Sequence, residues 1–189
     1  LVQRAKIVEK IVNKFSLYSL SPEIYDDYIS TKMKIRNSKE VFKNIDKEKI
    51  EKNKIKMRFI GNLELLPSDL KEQCKILEKE TKDNNCFIVN FAIAYGGRQE
   101  IVEAVKKILK NKISPEEVNE EIIEKNLYLS HEPEMIIRTG GEKRTSNFLP
   151  WQSAYSEWFF LDKFWPEFEK EDLINCIEEF KNRKRNFGK

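Results

Sequence analysis

Apolar and polar positions follow two rhythms along this chain, and the alternation between them divides it into helices and strands. Val2, Ile7, Val8, Ile11 and Val12 recur at helical spacing and predict a short amphipathic helix. Phe15 to Leu20 reads as a strand ending in the turn-forming pair Ser21-Pro22. The charged stretch from Ser38 to Ile50 predicts a helix, with Ser38 as its N-cap. Ile55 to Ile60 alternates apolar with basic residues and stops at Gly61-Asn62, a strand-and-turn signal. Pro67-Ser68-Asp69 opens a helix reaching about Lys82, with Leu70, Cys74 and Leu77 on one stripe.

Phe87 to Ala94 is a nearly continuous apolar run, as expected of a central parallel strand buried on both faces. Gly96-Gly97 follows it, then a predicted helix from about Arg98 to Lys110. Ser114-Pro115-Glu116-Glu117 is a capping pattern for another helix. Met135 to Ile137 reads as a buried strand, Trp158 to Leu161 as a further one, and Glu171 to Lys184 as a last helix. Strands alternating with helices predict an α/β fold with a central, mostly parallel sheet flanked by helices. No repeat or low-complexity linker interrupts residues 1–189, which predicts a single domain. Such sheets bind ligands beyond the carboxyl ends of their strands. Three junctions are therefore candidates: Ser21-Pro22-Glu23, Tyr95-Gly96-Gly97-Arg98, and Arg138 onward.

Composition narrows the options. A net charge of +3 is too small to argue for a nucleic-acid partner. Cys74, Cys86 and Cys176 are odd in number and far apart, so neither a disulfide framework nor a zinc site is expected, and each reads as a small buried apolar residue in a reducing compartment. The lone His131 cannot build a histidine-rich metal site. No run approaches the roughly 18 apolar residues of a membrane span, and no signal peptide is visible, so a cytoplasmic location is expected.

The most informative stretch is Ile137-Arg138-Thr139-Gly140-Gly141-Glu142-Lys143-Arg144-Thr145-Ser146-Asn147. It sets two arginines and a lysine beside two glycines and several hydroxyls at the exit of a buried strand. Glycines let backbone N–H groups approach an anion, guanidinium groups bind phosphate oxygens two at a time, and hydroxyls complete the shell. A helix expected near Pro150 adds a positive dipole end. The bland alternative is a solvated basic loop; a buried strand running straight into Arg-Thr-Gly-Gly favours a phosphate or diphosphate site. Glu157 follows among aromatics, and reads either as a surface acid at a helix end or as a magnesium ligand.

Arg138 to Glu157, through Asp162, Trp165-Pro166 and Phe187-Gly188, resembles the carboxyl-terminal signature of the cis-prenyltransferase family. The resemblance extends back over Phe59-Ile60-Gly61, Leu66-Pro67 and Asn90 to Val102, about two-thirds of the chain in the right order. It implies an α/β fold with a hydrophobic tunnel, a homodimer, Mg²⁺ and two diphosphate sites. It also implies condensation of isopentenyl diphosphate with an allylic prenyl diphosphate to make a long, undecaprenyl-like polyprenyl diphosphate carrier, with peripheral membrane contact for the lipid product. Carried over by position, Arg138, Arg144 and Ser146 hold the diphosphate of isopentenyl diphosphate, Thr145 lies in the same loop, and Glu157 helps to bind the metal. Leu17 to Glu23 is similar to the family's Tyr-Ala-Phe-Ser-x-Glu-Asn-Trp element, which places Ser21, Pro22 and Glu23 in the substrate site and Tyr25 at the tryptophan position.

The chain departs from the pattern in places. Nothing in it matches the family's Asp-Gly-Asn-x-x-Trp element, so an amino-terminal strand and catalytic loop are expected to be missing from it. Ile24 and Asp27 stand where the family has Asn and Arg, and Asn186 where its terminal Arg-x-Gly begins, with Arg185 adjacent. A non-catalytic subunit of a heteromeric enzyme is the alternative, against which Arg138, Arg144, Ser146 and Glu157 all stand. A nucleotide-binding protein is disfavoured because neither GxxxxGK[ST] nor GxGxxG occurs. A trans-type synthase is disfavoured because no Asp-Asp-x-x-Asp occurs.

Overall fold

A computed structural model describes residues 47–183, which fall into two compact units, 47–129 and 130–183. Several expectations lie outside the described residues: the Val2–Val12 helix, the Phe15–Leu20 strand, the Ser38 cap, and the site residues Ser21, Pro22, Glu23 and Tyr25.

In the first unit, α1 (Lys47–Lys52) leads into β1 (Ile55–Ile60), α2 (Ser68–Glu80), β2 (Phe87–Ala92), α3 (Gly97–Lys110) and α4 (Glu120–Asn126). Alternation sets β1: Ile55, Met57 and Phe59 are buried, whereas Arg58 points to solvent. β1 pairs with β2 in parallel, from Ile55 opposite Phe87 to Ile60 opposite Ala92. Its other edge is closed by side chains. Thr81 Oγ1 accepts from Met57 N–H (3.0 Å), Glu78 Oε1 accepts from Phe59 N–H (2.8 Å), and Asn84 Nδ2 donates to the Ile55 carbonyl (2.9 Å). α2 brings Glu78 and Thr81 there by burying Leu70, Cys74 and Leu77, which lie on one helical stripe. Gly61 ends the strand at φ 126°, and a Cβ there would lie 2.1 Å from the Ile93 carbonyl oxygen, so only glycine fits.

Two expectations shift here. β2 stops at Ala92, short of the left-handed Ala94, and is half-buried, with Ile88 57% exposed. Ser114 caps a 3₁₀ turn (Pro115–Glu117), and the helix begins later, where the Asn119 side chain accepts from Ile122 N–H.

The second unit holds β3 (Met135–Arg138), β4 (Glu157–Phe160) and α5 (Lys170–Asn182). β3 and β4 are parallel, from Met135 opposite Glu157 to Arg138 opposite Phe160. α5 buries Cys176 and Ile177. Both units thus have parallel strand pairs with helices, the α/β arrangement the patterning predicts. Among the described residues no helix is long and apolar enough to cross a membrane.

Of the three cysteines, Cys74 and Cys176 are buried, but Cys86 is exposed at the entry to β2. Burial pushes the Cys74 thiol up to about 11, and it raises Cys176 as well. Iodoacetamide at neutral pH is therefore expected to modify Cys86 alone in the native protein and all three thiols in urea, counted by intact-mass spectrometry.

Candidate functional site

Arg138 is the last residue of β3, at the carboxyl end of a parallel pair where such folds gather ligands. The chain turns at Gly140 and Gly141, both in the left-handed region at φ 96° and 76°. Their amides do not point to an open anion cradle. Gly140 N–H donates to the Lys163 carbonyl (2.8 Å) and Gly141 N–H to the Leu161 carbonyl (2.9 Å), stitching the loop to the exit of β4. Their role is to fix where the loop starts.

The anion-binding groups lie further on. Among the described residues the amides of Glu142, Lys143, Arg144, Thr145 and Ser146 have no acceptor, and all but Ser146 belong to exposed residues. Arg138 braces this stretch from below: its Nη1 donates to the Arg144 carbonyl and to Ser146 Oγ (2.9 Å). Ser146 and Asn147 sit at φ 46° and 62°, which folds the loop back over Arg138. Arg144 projects outward and meets Glu142 at 2.8 Å, a solvent-exposed pair worth about 0–1 kcal/mol that an incoming polyanion can displace. Thr145 is exposed, and its carbonyl accepts from Phe148 N–H. Arg138, Arg144 and Ser146 are thus brought together in one loop, with unspent amides and Lys143 alongside. That is a cationic, donor-rich loop suited to a diphosphate.

The helix expected at Pro150 is not formed. Left-handed backbone at Ser146, Asn147 and Leu149 breaks the chain's approach, and residues 150–155 make isolated turns such as Ser153 N–H to the Leu149 carbonyl. No helix dipole therefore adds to the loop from this segment.

Glu157 is neither at a helix end nor beside Arg138. It opens β4, opposite Met135, three register steps and roughly 10 Å from the Arg138 end of the pair. Its carboxylate accepts from Arg183 Nη1 at 2.8 Å. Arg183 also binds Glu179 and lies 4.1 Å over the Phe159 ring; the hydrogen bond to Glu157, then that to Glu179, push its pKa further up. Among the described residues no three His, Cys, Asp or Glu side chains gather to hold a metal. Glu157 here is the counterion of Arg183, and a magnesium ion asks for only one or two carboxylates beside substrate phosphates.

One buried acid escaped the sequence reading. Glu100, 1% exposed in the first turn of α3, accepts from Tyr128 N–H (2.7 Å), Leu129 N–H (3.1 Å) and the Tyr95 hydroxyl. It thereby fixes the Tyr95-Gly96-Gly97-Arg98 junction at the exit of β2. The signal was present: Glu100, Ala104 and Ile108 share the buried stripe of α3, and an acid on such a stripe needs partners.

Residues 5–188 match the family model for undecaprenyl diphosphate synthase. A tritrans,polycis-undecaprenyl-diphosphate synthase (geranylgeranyl-diphosphate specific) of Methanocaldococcus jannaschii is 40% identical over 94% of this chain and 67% of its own length. The Methanopyrus kandleri protein of the same description is 44% identical over 76% of this chain and 55% of its own. An isoprenyl transferase of Streptococcus thermophilus is 43% identical over 74% and 60%. Among solved structures, a probable undecaprenyl diphosphate synthase from Campylobacter jejuni aligns with a TM-score of 0.72 at 36% identity, covering 89% of this chain and 76% of that one. Lavandulyl diphosphate synthase from Lavandula x intermedia, in complex with dimethylallyl diphosphate, aligns at 0.77 and 28% identity, covering 85% and 72%. The chain thus spans between about half and two-thirds of the length of the curated relatives it matches. With its loop chemistry and its strand order both accounted for, the chain belongs to the undecaprenyl diphosphate synthase family of prenyltransferases.

Proposed function

We propose that this chain carries the isopentenyl diphosphate half-site of a cis-prenyltransferase that builds a long-chain polyprenyl diphosphate. The observation that carries the reading is the loop from Arg138 to Ser146, in which Arg138 braces a run of free amides beside Arg144. In this reading Arg138, Arg144 and Ser146 hold the diphosphate of isopentenyl diphosphate, with Thr145 at its margin. The anchored substrate then presents its double bond to the allylic partner. The allylic carbon–oxygen bond breaks and its electron pair leaves with the departing diphosphate. The double bond of isopentenyl diphosphate attacks the cationic carbon, and loss of a proton restores the alkene. Holding the two substrates in line is the loop's contribution to rate.

The names of the archaeal relatives support geranylgeranyl diphosphate as the primer. A homodimer, an apolar tunnel for the growing chain, dependence on Mg²⁺, and a cytoplasmic protein touching the membrane only to deliver product belong to the same proposal. The test is incubation of the full-length protein with labelled isopentenyl diphosphate, geranylgeranyl or farnesyl diphosphate, and Mg²⁺. Elongated product that disappears with EDTA and returns with added Mg²⁺ is the expected result; no elongation with either primer sinks the reading.

A further inference from the structure

We propose that Lys163 and Asp172 form a clasp that positions the basic loop, by closing the strap between β4 and α5 from which the glycine turn hangs. What the loop binds rests on the diphosphate reading, whereas the clasp stands on hydrogen bonds within the second unit.

The start of the loop is held by two carbonyls of unequal security. Gly141 N–H donates to Leu161, whose own amide is tied to the Arg138 carbonyl of β3 at 2.8 Å. Gly140 N–H donates to Lys163, two residues beyond that last tie to the sheet. The Lys163 amide has no acceptor among the described residues, so its backbone does not fix it. Its side chain does. Lys163 Nζ donates to both carboxylate oxygens of Asp172, at 2.8 and 3.0 Å.

Asp172 is suited to be the fixed half of the pair. It is the third residue of α5, its side chain is 15% exposed, and the same carboxylate accepts from Glu169 N–H at 2.8 Å. One carboxylate thus grips both ends of the strap 163–169. The strap is stiff between them: Trp165–Glu167 is a 3₁₀ turn, Glu167 accepts from Phe164 N–H, and the Trp165 and Phe168 rings stack at 5.5 Å. The hydrogen bond from Lys163, then that from the Glu169 amide, hold the Asp172 carboxyl below its ordinary value, so the pair is charged at neutral pH. An exposed ion pair contributes little where both side chains must be ordered to make it. Here the acid is already in place and only the lysine has to be ordered. With its ammonium engaged on Asp172, Lys163 serves the loop through its carbonyl, as a positioning residue, and not through its charge.

That distinction gives the test, made on the full-length protein. Lys163→Met keeps the carbonyl and removes the ammonium; Asp172→Asn keeps an oxygen for Glu169 N–H and releases the lysine. Each is expected to weaken isopentenyl diphosphate about fivefold in titration calorimetry, seen in turnover as a raised KM with kcat little changed. The double variant should lose no more than either single one, and Lys163→Arg, which still meets the carboxylate, should restore binding. Amide exchange followed by NMR reads the clasp with no ligand present: Gly140 is expected to exchange about tenfold faster in both single variants, and Gly141, held by Leu161, to change less. A Gly140 amide as protected in the variants as in the parent overturns the proposal. So does an Asp172→Asn protein that binds as tightly as the parent while Lys163→Met loses affinity, which would make Lys163 a direct ligand of the diphosphate. If the unaltered protein binds no isopentenyl diphosphate, the reading of the loop falls, while exchange at Gly140 still decides the clasp.

Discussion

Replacing Arg138 by alanine is expected to weaken binding of isopentenyl diphosphate by roughly 100-fold, measured by titration calorimetry on the intact protein. Two losses combine. A guanidinium bound to a phosphate contributes about 1.5–3 kcal/mol as a charge-assisted hydrogen bond, and each 1.4 kcal/mol is tenfold in affinity. Arg138 also holds the Arg144 carbonyl and Ser146 Oγ, so its removal frees the loop whose amides from Glu142 to Ser146 present themselves to the ligand. Arg138→Lys restores the charge but not the two-pronged brace, and should recover only part of the affinity. Ser146→Ala removes one neutral partner and costs about 1 kcal/mol, roughly fivefold. An Arg138→Ala protein that binds as tightly as the unaltered one would show that the loop is a solvated surface after all.

The contrast between Arg138 and Glu157 shows what a sequence of this kind discloses and what it withholds. Residue type and position at a strand exit were enough to find the basic loop, because a buried apolar run entering Arg-Thr-Gly-Gly leaves the arginine at the ligand-binding end of the sheet. β1 was legible for a similar reason: period-two alternation states directly which residues face the core. The use made of the glycine amides was not legible, since their acceptors, the Leu161 and Lys163 carbonyls, are set by how β4 leaves the sheet. Nor were the left-handed residues Ala94, Ser146 and Leu149, whose side chains carry no strong preference for that conformation and whose placement cut β2 short and removed the Pro150 helix. Glu157 is the instructive case. Parallel pairing obliges the chain to return the full length of a strand before the next one begins, so an acid at the start of β4 must lie far from an arginine at the end of β3. Closeness in sequence suggested one site; the topology puts about 10 Å of strand between the two residues, which sequence spacing alone does not disclose.

Glu100→Ala is expected to destabilise the protein by about 4 kcal/mol. The carboxylate accepts from the Tyr128 and Leu129 amides and from the Tyr95 hydroxyl, and it is 1% exposed, so alanine strands several donors where water cannot replace the acceptor. Each unsatisfied buried group costs about 1–3 kcal/mol, and the vacated volume adds a smaller cavity cost. Graded substitutions separate these contributions. Glu100→Gln keeps one oxygen for the two amides and its size, and Tyr95 can rotate its hydroxyl to accept from the new amide, so the cost should fall to about 1–2 kcal/mol. Glu100→Asp keeps the charge but draws the carboxylate back by one methylene, so it cannot span from α3 to both the Tyr95 ring and residues 128–129. Its cost should therefore lie nearer to alanine than to glutamine, even though its chemistry is the closer match. Urea unfolding followed by circular dichroism gives the ordering directly. An aspartate variant as stable as the parent would mean that charge alone, not the reach that ties the β2 exit to the end of the unit, is what Glu100 supplies.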